Sequence, residues 1–299
     1  MGSNSVLLLV AEKEESGWTP IYESSVVTGL GAGLTKHHAL QRESINRTLE
    51  ALREAFSKAD SLGVETVHAA GTMALRIAIN ASAFFYEAGR QGTPVDVISG
   101  IEEAELGLRA VLDDPLFRDE NRISIIDPGG HSTEIATAIR DEKGEWDEVL
   151  HKSYTLGAFT LLEGSFAAPC PDVRDRLAAV KDVDEIVAME YLPGKAGKAV
   201  VLGATGSNLI AMRLGIDEWQ GSKIHGQYLD YEDVSKYIER LCEMTAQERA
   251  ALKGLEPGRE FTIHAGALIL ERLLYCMHVE GCFVSTRGWR HAYLEKLHD

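Results

Sequence analysis

The apolar positions of residues 1–120 alternate between short runs and a helical spacing. Ile45, Leu49, Leu52 and Phe56 form one apolar stripe at helical intervals, which predicts an amphipathic helix, and Gly63 suits its C-terminal cap region. A glycine-rich connection at residues 30–34 is interpreted as a flexible loop before that helix. The other predicted elements are strands over 5–10, 20–27, 64–70 and 95–98, a polar hairpin turn over 12–17, and helices over 74–89 and 102–112.

Residues 121–299 continue the alternation of strands and helices. Thr245 and Glu248 have the spacing of a capping box at a helix start. The other predicted elements are a hairpin over 123–139, strands over 199–202 and 282–285, helices over 156–166, 173–191 and 263–277, and a loop over 194–198. This order predicts an α/β fold in two layered domains, residues 1–120 and 121–299.

Residues 122–134 combine a predicted buried strand with a glycine turn. The β-branched run of Ile123, Ile125 and Ile126 ends at Asp127, and Pro128-Gly129-Gly130 follows. Glycines let backbone N–H groups encircle an anion, and a carboxylate at a strand end can hold a metal ion or a water. The segment therefore suggests a phosphate-handling hairpin. An ordinary β-turn with an incidental aspartate is the alternative for these residues alone.

Composition and charge limit the classes of function. The chain has 299 residues and a formal net charge of −16, which argues against a general affinity for nucleic acid because like charges repel. A phosphate substrate would therefore need local basic groups, backbone amides and a divalent metal. The sequence shows neither the ~18 consecutive apolar residues of a membrane span nor the basic flank of a signal peptide. The four cysteines lack CxxC spacing, so we expect buried thiols in a reducing cytoplasm and neither a zinc site nor a disulfide framework.

Three further turns have small or polar residues suited to binding an anion. Gly2-Ser3-Asn4-Ser5 opens the chain, and Gly71-Thr72 leads to Arg76, with Asn80 one turn later. An arginine at a helix start opposes the helix dipole unless it shares an anion with it, although a solvated surface arginine is an equal alternative. The third turn, 203–207 (Gly-Ala-Thr-Gly-Ser), would present amides at a helix N-terminus, which is a weak signal on its own because such turns are common.

An acidic helix start follows Ser99-Gly100. Glu102, Glu103 and Glu105 lie in or near its first turn, where acids complement the helix dipole, and this accounts for two of them. The functional interpretation is that one carboxylate orients a water and serves as general base.

Together these segments resemble, in order and spacing, the exopolyphosphatase / guanosine pentaphosphate phosphohydrolase family in its short two-domain form. The matching stretches are Gly2–Ser5, Gly71-Thr72 with Leu75-Arg76 and Asn80, Ile98-Ser99-Gly100 with Glu102-Glu103-Ala104, Ile126-Asp127 with Gly129-Gly130 and Ser132-Thr133-Glu134, Gly157-Ala158, and Gly203-Ala204-Thr205-Gly206. The resemblance implies two ribonuclease-H-like (actin-like ATPase) domains with an interdomain cleft. It also implies Mg²⁺-dependent hydrolysis of a terminal phosphoanhydride in polyphosphate or pppGpp, and, as a guess from the family only, a homodimer.

The resemblance also assigns roles to individual residues. Glu103 matches the proposed general base, Arg76 matches a phosphate-contacting arginine, and Asp127 and Glu134 match acids that support the metal or the water. The expected substrate-binding residues are Ser3, Asn4, Ser5, Thr72, Gly129, Gly130, His131, Ser132, Gly203, Thr205, Gly206 and Ser207.

Three departures from the family pattern matter. The family begins with a strand that ends in an aspartate before Gly-Ser-Asn-Ser, whereas Met1 directly precedes Gly2 here. The missing strand and aspartate have two explanations, a truncated sequence or a protein that has lost this part of the family pattern. Either explanation predicts a gap or unpaired strand edges in the first sheet. Pro128 and His131 alter the glycine turn, where the histidine can donate to phosphate but its bulk can reshape the phosphate cradle. The family's closing motif, Gly-Leu-Arg-Glu-Gly, is replaced by Gly288-Trp289-Arg290-His291-Ala292.

Two other functions compete with hydrolysis. A non-hydrolysing protein that senses polyphosphate or (p)ppGpp would explain the missing aspartate and His131, whereas retention of Glu103, Asp127 and Glu134 favours an enzyme. A small-molecule kinase of the same superfamily is disfavoured by the Ser99-Gly100-x-Glu102-Glu103-Ala104 motif.

Overall fold

The chain forms two compact units. The computed structural model describes residues 1–15, 17–187, 197–216 and 218–297. One unit comprises Met1–Ser99 with Glu295–Asp299, and the other comprises Gly100–Leu294. The division precedes the predicted boundary at residue 120 because the helix Gly100–Leu112 packs against strands of the second unit.

The first unit contains one long and one short two-stranded ladder and several helices. Its elements are β1 (Ser5–Glu14), β2 (Gly17–Val27), α1 (Leu34–His37), α2 (Arg42–Ser61), β3 (Ala70–Gly71), α3 (Met73–Ile77), α4 (Ala81–Arg90) and β4 (Asp96–Val97). β1 pairs with β2 in antiparallel fashion, and β3 pairs with β4 in parallel. Among the described residues the two ladders form separate two-stranded sheets, and the terminal amino group of Met1 donates to Ala70 O at 2.5 Å.

Sequence periodicity located α2, but it misjudged two neighbouring segments. The apolar stripe of α2 is confirmed, and Gly63 follows the helix at φ +73°. The strand predicted over 64–70 was wrong for most of its length, because only Ala70 and Gly71 find a partner strand. The turn predicted over 12–17 is shorter, because Lys13 pairs with Trp18 and extends the hairpin.

The helix predicted over 74–89 is two helices, and Asn80 explains the break. Its Oδ1 accepts from Leu40 N at 2.8 Å, and its Nδ2 donates to Leu40 O at 3.0 Å. The N–H of Ile79 also donates to His38 O at 3.0 Å. These hydrogen bonds to residues 38–40 replace the helical hydrogen bonds, so Asn80 fixes the backbone between the two helices to that segment.

The second unit is built on a six-stranded mixed sheet in the order β7-β6-β5-β8-β10-β9. Its strands are β5 (Arg122–Pro128), β6 (Thr133–Arg140), β7 (Trp146–Tyr154), β8 (Lys198–Val201), β9 (Tyr228–Asp230) and β10 (Gly281–Val284). Its helices are α5 (Gly100–Leu112), α6 (Ala158–Leu162), α7 (Val173–Val187), α8 (Gly203–Leu214), α9 (Gly221–Ile224), α10 (Tyr231–Glu243), α11 (Ala246–Ala250), α12 (Ile263–Cys276) and α13 (Trp289–Lys296), whose last two residues belong to the first unit.

The sheet brings three chain turns to one edge. β5, β8 and β10 run parallel, and their carboxyl ends lead into the segments beginning at Gly129, Leu202 and Ser285. Ligands of α/β sheets bind at the carboxyl ends of parallel strands. The edge of the sheet that carries these turns is therefore where a site is expected.

The core of this unit is centred on α12. Most of its residues are buried, and it packs against α6, α7, α8 and α10. No helix in the described ranges is long and apolar enough to cross a membrane.

Several predictions for the second unit are confirmed, and others need correction. The hairpin, the strands near 199 and 282, and the capping box of Thr245 and Glu248 are present. β7 had not been predicted, and the prediction of four buried thiols was wrong for Cys170, which is exposed. α7 ends at Val187, so the last predicted helical residues and most of the 194–198 loop lie outside the described residues.

Candidate active site

The β5–β6 hairpin places two acids opposite each other beside the glycine turn. Asp127 and Glu134 are partners in the strand register, and the N–H of Gly129 donates to Ser132 O at 2.9 Å. A Cβ on Gly129 would lie 2.8 Å from that same carbonyl oxygen, so the tight closure requires glycine. The predicted phosphate-handling hairpin therefore has the expected backbone form.

The start of α6 fixes the other side of this turn. Ala158 N donates to Gly129 O at 3.0 Å, and Phe159 N donates to Gly130 O at 2.8 Å. Gly157 packs so closely that an added Cβ would lie 2.3 Å from the carbonyl carbon of Gly130. The carbonyls of the turn are thus held from behind.

Three N–H groups of the turn remain available to an anion. Within the described residues, the backbone N–H groups of Gly130, His131 and Ser132 donate to no protein acceptor. Successive N–H groups in a turn can form a concave anion-binding site. They are the candidate phosphate donors of this unit.

Three carboxylates accompany the turn. Glu134 is 2% exposed and Glu103, in the first turn of α5, is 8% exposed. Burial raises the pKa of Glu134 well above its ordinary value, and negative charge on Glu103 and Asp127 raises it further. A hydrogen bond from Ser153 Oγ at 2.7 Å and one from Ser132 oppose this increase. Glu134 is therefore the acid whose ionised form is disfavoured by the negative charges of the other two.

Asp127 lies between the hairpin and the start of α8. Burial raises the pKa of Asp127 to about 6, and the positive charge of Arg290 opposes the shift. Gly203 begins α8 at φ +72°, and an added Cβ would lie 2.7 Å from Asp127 Oδ1. Glycine is therefore required twice at position 203, by its conformation and by the nearby carboxylate.

The side chains of Thr205 and Ser207 on α8, which were predicted to bind substrate, contact other parts of the second unit. The side chain of Thr205 packs against Gly266 on α12, so closely that a Cβ added to Gly266 would lie 2.5 Å from Thr205 Oγ1. Gly206 allows α8 to approach Val201. Ser207 Oγ donates to Gly203 O at 3.0 Å. Of this predicted group, only the backbone amides of the first helical turn remain as candidate anion donors.

His131 is placed differently from a phosphate donor. The residue is 1% exposed, and the centroid of its ring lies 5.3 Å from the centroid of the Phe159 ring. Burial lowers the pKa of His131 to about 4, against the opposing charge of Glu163. The imidazole is therefore neutral near pH 7 and packed inside the unit.

In the first unit, the predicted chain-start residues form a buried turn. Ser3, Asn4 and Ser5 are 4%, 8% and 6% exposed. Asn4 O accepts from Thr28 N and Gly29 N, and Ser3 O accepts from Gly31 N. The glycine-rich connection interpreted as a flexible loop is thus tied to this turn by backbone hydrogen bonds.

Arg76 belongs to the same unit and is half-buried. Its Nη1 donates to Ile98 O at 2.7 Å, and its Nη2 lies 3.6 Å from Met73 Sδ. Thr72 is buried directly before α3. These contacts fix the arginine, and its predicted role in phosphate binding stays a prediction.

Asp127 and Glu134 are the predicted magnesium ligands. No group of three or more His, Cys, Asp or Glu side chains within the described parts of the chain is arranged to hold a metal ion. Magnesium in phosphate sites is usually held by one or two carboxylates with waters and substrate phosphates. Two opposed acids that repel each other fit a cation bound in that way.

Two residues near the acids escaped the predicted site. Ser153 lies opposite Glu134 on β7, and the strand-forming residues of that segment, among them Trp146, Val149 and Tyr154, were the signal that could have found it. Arg290, whose charge acts on Asp127, was noted only within the altered closing motif.

Comparison with known proteins gives a consistent result. A sequence model of the Ppx/GppA phosphatase family matches residues 9–298. "Exopolyphosphatase 2" of Mycobacterium tuberculosis is 28% identical over 285 residues, which cover 91% of this chain and 87% of that protein. The crystal structure of the Aquifex aeolicus Ppx/GppA family member is similar at TM-score 0.79 and 27% identity, covering 100% of this chain and 96% of that one.

A structure of an exopolyphosphatase from Cytophaga hutchinsonii supports the fold alone. It has TM-score 0.85 and 20% identity, and it covers 99% of this chain and 95% of its own. The predicted α/β fold of the actin-like ATPase class and the predicted family resemblance are confirmed.

Proposed function

Because the chain belongs to the Ppx/GppA phosphatase family, we propose that it is a Mg²⁺-dependent phosphohydrolase that removes the terminal phosphate of inorganic polyphosphate. The observation that carries the proposal is the β5–β6 hairpin, where Asp127 faces Glu134 beside three N–H groups that have no acceptor in the described part of the chain. The name of the Mycobacterium tuberculosis relative supports polyphosphate as the substrate.

The turn would bind the terminal phosphate. The N–H groups of Gly130, His131 and Ser132 would donate to its nonbridging oxygens, which offsets the charge that develops during phosphoryl transfer. The amides at the start of α8 would bind the next phosphate. The N–H groups are fixed before substrate arrives, because α6 holds the turn carbonyls.

Glu103 would act as general base. A carboxylate oxygen of Glu103 takes a proton from water as the water oxygen bonds to the terminal phosphorus. The bond from phosphorus to the bridging oxygen breaks, and the shortened chain leaves with the electron pair. Asp127 and Glu134 would hold Mg²⁺, which supplies positive charge to the phosphate oxygens.

The finer predictions belong to this proposal. Guanosine pentaphosphate also ends in a phosphoanhydride and is the second substrate to test. The contributions of Ser3, Asn4, Ser5, Thr72 and Arg76 to substrate binding, the homodimer and the cytoplasmic location stay predictions.

Phosphate release from polyphosphate with and without Mg²⁺ tests the proposal, with Glu103→Gln as the key variant. Glu105→Gln is the matched control, because Glu105 lies on the same helix but is exposed. We expect the parent and E105Q to release phosphate and E103Q to lose at least about 100-fold in kcat, as for loss of a general base. Full activity in E103Q would remove Glu103 from the mechanism. A parent that binds polyphosphate without turnover would establish a binding protein instead.

A further inference from the structure

His131 has an unusual environment for a residue of an anion-binding turn. Its Nδ1 and Nε2 are both buried, and neither has a hydrogen-bond partner within the described residues. The ring packs against Phe159 at 5.3 Å, with an interplanar angle of 36°. The imidazole is thus used as an aromatic surface.

This burial costs stability and excludes direct binding by the ring. A buried polar atom without a partner loses its hydrogen bonds to water and gains none in return. Both ring nitrogens are shielded from solvent, so neither can reach a ligand in solution. Any contribution of His131 to phosphate binding must come from its backbone or from its packing.

The ring and the backbone secure the turn to the same helix. Phe159, which packs on the imidazole, also donates its N–H to Gly130 O at 2.8 Å. Ala158 N–H donates to Gly129 O in the same way.

The backbone at position 131 accepts a side chain without strain. Outside glycine, positive φ angles in the described residues occur at His38 and His278, and not at His131.

We propose that His131 is a positioning residue, whose ring anchors the turn on Phe159 and so orients the N–H groups that bind phosphate. The imidazole itself makes no contact with the substrate. The phosphate-binding part of this inference rests on the proposed function, whereas the anchoring part does not. A histidine in the turn then leaves the phosphate cradle open, because its bulk points into the unit.

The anchor is tested by removing the ring and by restoring it without nitrogens. His131→Ala deletes the contact with Phe159, and His131→Phe keeps an aromatic ring there. His264 offers a matched control, since it is also 1% exposed and packs on Phe166 at 5.3 Å. The four variants H131A, H131F, H264A and H264F are compared in Tm, in the inhibition constant of inorganic phosphate, and in KM and kcat with polyphosphate.

The expected results separate anchoring from general destabilisation. H131A raises KM and the phosphate inhibition constant by about tenfold, with a smaller change in kcat, since misplaced donors bind phosphate less well. H131F stays within about threefold of the parent in both constants and has an equal or higher Tm, because no unpaired nitrogen is buried. H264A lowers the Tm without changing phosphate binding.

Three results would overturn the inference. One is unchanged phosphate inhibition in H131A. Another is an H131F variant with the parent's Tm that binds phosphate as weakly as H131A, because the imidazole would then be a ligand. The third is a parent whose Tm does not rise with inorganic phosphate. A parent that binds phosphate but releases none from polyphosphate would refute the proposed function alone, and the Tm increase in phosphate would then replace KM as the measure of anchoring.

Discussion

Replacing Asp127 by asparagine should make the protein more stable at neutral pH while removing its activity. Asparagine has the shape of a protonated aspartate and carries no charge. Burial raises the pKa of Asp127 from 3.8 to about 6, so the folded state holds a proton that the unfolded state has lost between these values. The contribution of the protonated Asp127 to the free energy of unfolding is therefore fully present below pH 3.8, and it is lost as the pH rises through about 6.

The magnitude follows from the shift. At about 1.4 kcal/mol for each pKa unit, the increase from 3.8 to about 6 corresponds to about 3 kcal/mol of unfolding free energy. D127N should therefore exceed the parent by about 3 kcal/mol at pH 7.5 and equal it near pH 3. The variant also removes a negative charge that raises the pKa of Glu134, which acts in the same direction.

Urea unfolding followed by tryptophan fluorescence measures this difference. Trp146, Trp219 and Trp289 lie in the second unit, so the signal reports mainly on the unit that contains Asp127. Unfolding is measured at pH 4, 5, 6 and 7.5 with a chelator, because Mg²⁺ would stabilise the ionised parent by binding it. Asp147→Asn is the control, since this exposed β7 acid should change stability by no more than about 0.5 kcal/mol.

The outcome can contradict the reasoning directly. Equal stabilities of D127N and parent at pH 7.5 would show that the carboxylate is solvated as in the unfolded chain. A stabilisation that is independent of pH would assign the effect to packing.

Three further outcomes are expected. Gly203→Ala should lower the free energy of unfolding by about 1–3 kcal/mol and abolish phosphate release, because φ is +72° and the new methyl group meets the Asp127 carboxylate. Gly215→Ala is the control: its φ is +61° but no atom lies within 4 Å of the added Cβ, so it should cost about 1 kcal/mol. Urea unfolding and a phosphate-release assay compare the two variants. Ser153→Ala should shift the acidic limb of the pH–rate profile to higher pH, because its hydrogen bond lowers the pKa of Glu134, and an unmoved limb would exclude this role. Arg249→Ala should cost about 3 kcal/mol or more in urea unfolding, because this 2% exposed side chain donates to three backbone carbonyls; a loss below about 1 kcal/mol would contradict that.

Local patterns in the sequence predicted elements whose stability is local. The stripe of α2 and the capping box at Thr245 depend on residues within a few positions of one another. The false strand over 64–70 and the broken helix at Asn80 depend on distant partners, namely β4 and Leu40. No local spacing contains that information.

The same division applies to the site. The hairpin with Asp127 opposite Glu134 follows from the turn in the sequence. The side chains of Thr205 and Ser207 have suitable chemistry for phosphate, yet tertiary packing turns them towards α12 and the α8 backbone. Ser153 was missed because its role depends on the register of β7.

The strand directions of the second unit place the candidate active site and the exposed β6–β7 connection at opposite ends of the strands. β6 runs antiparallel to β5, so the connection between β6 and β7 lies at the edge of the sheet opposite the glycine turn. Its residues 141–145 are exposed and join two adjacent antiparallel strands. Loop tips of this kind accept inserted sequence best. A fluorescent peptide inserted there would be a reporter placed a full strand length from every acid of the hairpin, which makes this connection the natural point for labelling the active protein.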